Sequence, residues 1–167
     1  MNIFYLSECP FEAARMQCDK HVVKMAVETA QMLSTVLGGP YKPTHANHPS
    51  TIWAGKHTIW AYDHYLALCA EYQFRYGRVH KCLEHADLFQ QLMIQQRPVW
   101  QRPAWEDPPQ CMPEQYHGPD TVEAYRNYYA GEKAYFARWD NGRPAPDWYL
   151  SRVAVSSPAF PTTTTTK

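Results

Sequence analysis

The sequence predicts an all-α protein, folded as a compact single-domain helical bundle with one short N-terminal strand or an extended arm. Proline and glycine divide the chain into segments of helical length, and the first segment has clear helical periodicity. The 167 residues can bury a core, and no apolar run approaches the roughly 20 residues of a membrane span. We expect a helical domain over residues 1–140 and an irregular tail over 141–167.

The individual elements follow from local signals. Residues 2–6 are mostly apolar and form the strand or arm. Proline in a first turn favours a helix start, and glycine followed by proline favours a stop. Residues 97–119 contain six prolines and are predicted to be an irregular loop. The predicted helices span about residues 10–38, 49–77, 79–96 and 120–139.

A polar stripe on the first predicted helix is the leading candidate for a functional site. Six polar side chains fall within an arc of about 100°, and the rest of the circumference is mostly apolar. A helix of this kind is largely buried, so the stripe is expected to line a concave, accessible surface; a solvated face without function is the alternative. Two lysines, an imidazole and a carboxylate suit an anionic substrate and proton transfer. The stripe consists of Gln17, Lys20, His21, Lys24, Glu28 and Gln31.

Other polar groups are further candidates, each with a structural alternative. Asp19 lies one turn after Arg15, which suits a structural ion pair or a role in orienting the stripe. The segment 75–81 is densely basic and suits either phosphate contacts or a solvated turn. His48 lies at a predicted helix N-terminus, a natural anion site. Aromatic residues interleaved with cations over 125–133 suit either base stacking or the core.

One face of the second predicted helix is rich in aromatic residues. These side chains form either a core with a structural ion pair or a wall against which a flipped base could stack. The face carries Trp53, His57, Trp60, His64, Glu71 and Arg75.

Composition excludes several classes of function. Sixteen basic and sixteen acidic residues balance, so any basic surface is local. Five cysteines without CxxC spacing indicate free thiols in a reducing cytoplasm. Eight histidines lack zinc-site spacing, so no metal is predicted. Glycine-rich phosphate loops and dinucleotide fingerprints are also missing, so no cofactor is predicted.

Several motifs resemble small phage-encoded proteins grouped with the pyrimidine-dimer DNA glycosylases of the phage endonuclease V type. The resemblance covers about residues 1–140, and the segment 125–133 is similar to the aromatic, Tyr/Lys-rich C-terminal segment of the characterised enzyme. The motifs are the opening Met1-Asn2-Ile3-Phe4-Tyr5-Leu6, Asp19-Lys20-His21-Val22-Val23-Lys24, Glu28-Thr29-Ala30-Gln31-Met32-Leu33, Asn47-His48-Pro49 with Trp53, and Glu71-Tyr72 with Arg75-Tyr76-Gly77-Arg78-Val79-His80.

The resemblance implies a helical domain that binds duplex DNA and flips a nucleotide. It also implies that the N-terminal α-amine attacks the sugar to form an imine, with help from a glutamate on the first long helix. Because Asn2 is large, Met1 is expected to be retained, whereas the characterised enzyme exposes a threonine amine. The family's glutamate position falls near His21, and Glu28 is the nearest carboxylate on the stripe.

We therefore predict a cytoplasmic enzyme, in the host cell if phage-encoded, that cleaves or transfers at a pyrimidine nucleotide of double-stranded DNA. The alternatives are a phage enzyme of thymine hypermodification on the same fold, or a non-catalytic DNA- or protein-binding module. The predicted catalytic residues are Met1, His21, Glu28 and Glu71. The predicted substrate-binding residues are Asn2, Asp19, Lys20, Lys24, Gln31, His48, Trp53, Arg75, Arg78, His80 and Lys81.

Overall fold

The computed structural model describes residues 1–96 and 103–156. Over these ranges the protein is helical and contains no strand, which confirms the predicted all-α class. Parts of the predicted loop and tail, at 97–102 and 157–167, lie outside the described residues. Within the described ranges, seven α-helices are accompanied by two short 3₁₀ helices, Lys81–His85 and Glu114–Tyr116. The α-helices are α1 (Pro10–Met16), α2 (Asp19–Leu37), α3 (Pro49–Lys56), α4 (Thr58–Tyr76), α5 (Ala86–Gln96), α6 (Thr121–Glu132) and α7 (Asp147–Ser156).

The N-terminal segment is an extended arm, the second of the two predicted alternatives. Residues 3–6 are buried, and helices α2, α4 and α6 supply their neighbours. The ring of Tyr5 packs 5.4 Å from Trp60 of α4, and the ring of Phe4 meets Tyr129 of α6 edge-on at 5.5 Å. The start of the chain is therefore held inside the fold.

The first predicted helix is interrupted between α1 and α2, which corrects the continuous helix expected there. Gln17 is extended, with ψ at 145°, so carbonyls at the end of α1 lose their helical partners. The Arg75 guanidinium replaces those partners by donating to the carbonyls of Arg15 and Gln17, at 2.9 Å each. The backbone amide of Cys18 donates to the Tyr129 hydroxyl at 2.8 Å. Contacts from distant parts of the chain thus stabilise the interruption.

Other helix bounds also differ from those predicted. His57, with φ −113° and ψ 48°, separates α3 from α4, and the third predicted helix begins as a 3₁₀ turn before α5. Helix α7 lies where an irregular tail was predicted, so that prediction is wrong for 147–156. This helix packs on α6, where Arg152 donates to Asn127 at 2.8 Å and also pairs with Glu123.

A buried chain of alternating charges joins α2, α4 and the segment before α7. Arg75 donates to Asp19 at 2.9 Å and to Glu71 at 3.1 Å, and Arg143 donates to the other oxygen of Glu71 at 2.7 Å. Burial raises the pKa of Glu71, but hydrogen bonds and charge from the two arginines outweigh burial and lower it below its ordinary value. Asp19 also accepts from the side chain of Asn141 at 2.8 Å. Every charge in this network has a partner, so its role is structural.

Candidate active site

The start of the chain and a carboxylate of α2 come together. The α-amine of Met1 lies 3.9 Å from Oε2 of Glu28. The Met1 side chain is 3% exposed and packs against the core, and the Glu28 side chain is 17% exposed. An amine beside a carboxylate can act as a nucleophile with a proton acceptor.

Lys24 pairs with the same carboxylate, and His48 interacts electrostatically with the amine and with Glu28. Lys24 Nζ lies 3.2 Å from Oε1 of Glu28, one helical turn before it. His48 caps α3, because its Nδ1 accepts the backbone amide of Ser50 at 3.1 Å. Burial lowers the pKa of His48, the N-terminal amine and His45 lower it further, and Glu28 raises it. His48 therefore lies within electrostatic range of both the amine and the carboxylate.

His21 does not lie beside the amine, although the resemblance placed the family's glutamate near this residue. Its ring is 4% exposed and stacks on Phe4 at 4.4 Å. Burial lowers the pKa of His21 to about 3, and the nearby charges of Lys133, Lys24 and Lys20 add to the shift. A lowered pKa disfavours His21 as a general acid, and its burial beneath Phe4 makes it part of the packing that supports the arm. Its predicted role in proton transfer stays a prediction.

Two buried histidines predict an acid-sensitive fold. Burial lowers the pKa of His64 to about 4, and that of His21 to about 3. Below the unfolded value of about 6.5, the unfolded chain binds protons that the folded chain does not, so stability falls as pH falls. Each group contributes a loss of about 1.4 kcal/mol per pH unit below that value until its folded pKa is reached.

This acid sensitivity is measured by urea unfolding at pH 7 and pH 5. We expect a clearly lower free energy of unfolding at pH 5, and the same difference when the exposed His117 is replaced by alanine. Equal unfolding free energies at the two pH values would contradict the buried, neutral state of these rings.

A cationic and aromatic surface adjoins the site. Lys20 Nζ lies 4.9 Å above the ring of Phe136, and Lys133 Nζ lies 4.7 Å above the ring of Tyr128. The Tyr128 ring in turn stacks with Phe4 at 6.2 Å. Positive charge and partly exposed rings therefore surround the end of the arm, as a nucleic-acid surface requires.

The aromatic segment 125–133 divides between the two predicted roles. Tyr125 and Tyr129 are buried in the core. Tyr128 and Lys133 are half-buried and face the arm. The sequence singled out the segment, but it could not separate the core rings from the surface rings.

The basic segment also divides into exposed and buried members. Arg78 and Lys81 are exposed, which leaves them available to phosphates. His80 is buried, where it accepts the Cys82 amide at 3.3 Å and contacts the Val23 carbonyl at 3.3 Å. These contacts are structural, and the substrate contact of His80 stays a prediction.

Four other predicted site residues make buried structural contacts. Arg75, Asp19 and Glu71 use their polar atoms in the buried charge network. Trp53 is buried and donates to the Glu106 carbonyl at 2.9 Å, within a cluster of rings that belongs to the core. Gln31 is half-buried on α2, one turn beyond Glu28.

The fold and this site define a helical protein with an N-terminal amine beside a carboxylate and a basic, aromatic surround. A family model described as pyrimidine dimer DNA glycosylase matches residues 1–85, about half of the chain. The chain belongs to this family, which makes it DNA glycosylase-like and implies a DNA substrate. The match includes the arm, Lys24, Glu28 and His48, and excludes α5 to α7. No curated protein and no solved structure matches the chain.

None of the helices described here combines the length and apolarity needed to cross a membrane. Nor do the side chains of residues 1–96 and 103–156 include a group of three or more His, Cys, Asp or Glu residues placed to hold a metal ion.

Proposed function

We propose that the protein is a DNA glycosylase whose nucleophile is the α-amine of Met1 and whose acid–base group is Glu28. The observation that carries this proposal is the 3.9 Å separation between the amine and the carboxylate. Both groups lie in the part of the chain that matches the glycosylase family. An amine aimed at a sugar carbon needs a nearby base, and Glu28 is the carboxylate in place to be one.

The reaction begins with the amine in its neutral form. Its lone pair attacks C1′ of the deoxyribose, the C1′–N bond breaks, and the base leaves with the bonding electrons and takes up a proton from solvent. Glu28 accepts the proton that the amine nitrogen loses and stabilises positive charge that develops on the sugar. The nitrogen lone pair then opens the sugar ring by displacing O4′, which takes the proton held by Glu28 and becomes a hydroxyl, and a protonated imine joins the protein to C1′.

The surrounding cations suit a phosphate backbone. Lys20, Lys24 and Lys133 lie around the arm, and Arg78 and Lys81 are exposed in the turn after α4. Because these five side chains are accessible or partly accessible, we assign them the phosphate contacts that hold duplex DNA over the amine. Rings such as Tyr128 provide stacking surfaces beside the flipped nucleotide.

Borohydride trapping of the intact protein tests this proposal. The protein is incubated with ultraviolet-irradiated, abasic and modified-thymine duplexes, and hydride reduces any imine to a stable amine. We expect a covalent adduct on at least one duplex, located by mass spectrometry at the α-nitrogen of Met1. Identical treatment of a variant carrying one extra residue before Met1 is expected to give no adduct.

Two outcomes would overturn the proposal. One is an adduct that maps to a lysine side chain, because another amine would then be the nucleophile. The other is DNA binding without any adduct on the three duplexes, which would favour a non-catalytic binding module.

A further inference from the structure

The side chain of Asn2 closes a turn directly after Met1. Its Oδ1 accepts the backbone amide of Ile3 at 2.7 Å and that of Phe4 at 2.9 Å. A side-chain oxygen that accepts two successive amides fixes the backbone direction at this residue. Since Met1 is one peptide unit away, the position of its amine depends on this turn.

The other end of the same carboxamide fastens the arm to the loop before α6. Asn2 Nδ2 donates to the Cys111 carbonyl at 2.9 Å. The backbone at Cys111 is itself held, because its amide donates to the Tyr125 hydroxyl at 3.4 Å. Tyr125 is fully buried and donates in turn to the Pro109 carbonyl at 2.7 Å. The anchor for Asn2 is therefore part of the packed core.

The loop is also fixed from α3. The hydroxyl of Ser50, in the first turn of α3, contacts the Cys111 sulfur at 3.4 Å. His48 precedes this turn, and its pKa is lowered by the N-terminal amine and raised by Glu28. The loop therefore contacts both α3 and the arm, and Asn2 makes the contact with the arm.

We propose that Asn2 is a positioning residue that holds the Met1 amine against Glu28, instead of contacting the substrate. This inference rests on the proposed function. A carboxamide is required because one end must accept two amides while the other donates to a carbonyl. Aspartate has no donor, and leucine, of similar size, has neither function. A displacement of about 1 Å in a reacting group can cost about 10²-fold in rate.

Asn2→Leu and Asn2→Asp test this role, with intact mass used to confirm that Met1 is retained. Small residues are avoided because removal of Met1 before them would change the amine. We expect Asn2→Leu to slow single-turnover adduct formation at saturating DNA by about 10²-fold. We expect its dissociation constant for DNA to stay within about twofold of the native value. Asn2→Asp keeps the two amide contacts, so its rate of adduct formation should lie between those of the native protein and Asn2→Leu.

A second readout needs no DNA. Labelling of the α-amine by an amine-reactive ester is measured relative to the lysines, and we expect faster labelling in Asn2→Leu because the amine leaves Glu28. The matched control is Cys9→Ala, at an exposed cysteine that takes no part in the contacts of Asn2 or Cys111, and it should behave as the native protein. If Asn2→Leu does not fold, the adduct-formation rate and the amine labelling of Asn2→Asp test the positioning role instead.

The outcomes separate the two proposals. Native adduct formation with equal rates and equal labelling in folded Asn2 variants would overturn the positioning role and leave the glycosylase proposal standing. A weaker dissociation constant with an unchanged saturated rate would assign Asn2 to substrate contact and also overturn it. No Met1 adduct in the native protein would overturn the glycosylase proposal, whatever the Asn2 variants show.

Discussion

Glu28→Gln is expected to slow base removal by about 10²- to 10⁴-fold in a single-turnover assay. Glutamine keeps the size of the side chain but cannot accept the proton that the Met1 amine must lose. It also removes the negative charge that would stabilise a cationic sugar. Because the neighbouring Lys24 is largely exposed, the lost ion pair should cost no more than about 1 kcal/mol of stability. The loss of rate should therefore appear in a protein that is still folded.

DNA affinity distinguishes a chemical role from a binding role. Removing one negative charge near phosphates should leave DNA binding unchanged or slightly tighter, so the defect belongs in the rate at saturating DNA. Glu12→Gln is the matched control, since Glu12 is an exposed glutamate whose partner is Arg15 on α1. A native rate in Glu28→Gln would remove Glu28 from the mechanism.

Helical periodicity predicted the stripe on α2 but could not divide it. Lys24 and Glu28 reach the surface, as the pattern indicates, whereas Gln17 and His21 are buried. At His21 the cause is the N-terminal arm, because Phe4 covers its ring at 4.4 Å. Gln17 lies in the interruption before α2, where its side chain contacts His64 at 3.3 Å. When a distant segment of the chain packs across one face of a helix, the hydrophobic periodicity of that helix does not change. The periodicity therefore cannot predict the burial.

The same limit applies to the burial of Arg75. Its neighbours in the sequence, such as Arg78 and Lys81, favoured a phosphate contact. Local spacing did predict the pair with Glu71 four residues earlier. The partners that bury Arg75 include Asp19, 56 residues away, and the carbonyl of Gln17, and no local pattern reports them.

The site itself was predictable only in part. Met1, Lys24, Glu28 and His48 were candidates from the sequence and the resemblance, and Glu28 lies within 3.9 Å of both the Met1 amine and Lys24. The anchoring of Asn2 was not predictable, because its acceptor is a backbone carbonyl 109 residues away. Backbone acceptors carry no sequence signature, since every residue has one.

Arg75→Ala is expected to lower the free energy of unfolding by about 3–5 kcal/mol, because it leaves buried charges without a partner. Asp19 loses its guanidinium, and the carbonyls of Arg15 and Gln17 lose their donors. The ion pair between Glu71 and Arg143 remains, so only part of the network is lost. At about 2–4 °C per kcal/mol for a chain of this size, the midpoint of thermal unfolding should fall by roughly 6–20 °C.

Arg78→Ala is the matched control, because the two arginines are three residues apart and differ in burial. Arg78 is exposed, so its loss should change stability by no more than about 0.5 kcal/mol. It should instead weaken DNA binding and reduce the slope of log affinity against log salt by about one. Arg75→Lys refines the test, since lysine keeps the charge but cannot donate to Asp19, Glu71 and two carbonyls at once. If Arg75→Ala keeps native stability but binds DNA more weakly, Arg75 lies at the DNA surface and the buried network is contradicted. The network requires the opposite result: all Arg75 variants lose much stability, and Arg78→Ala affects only DNA binding.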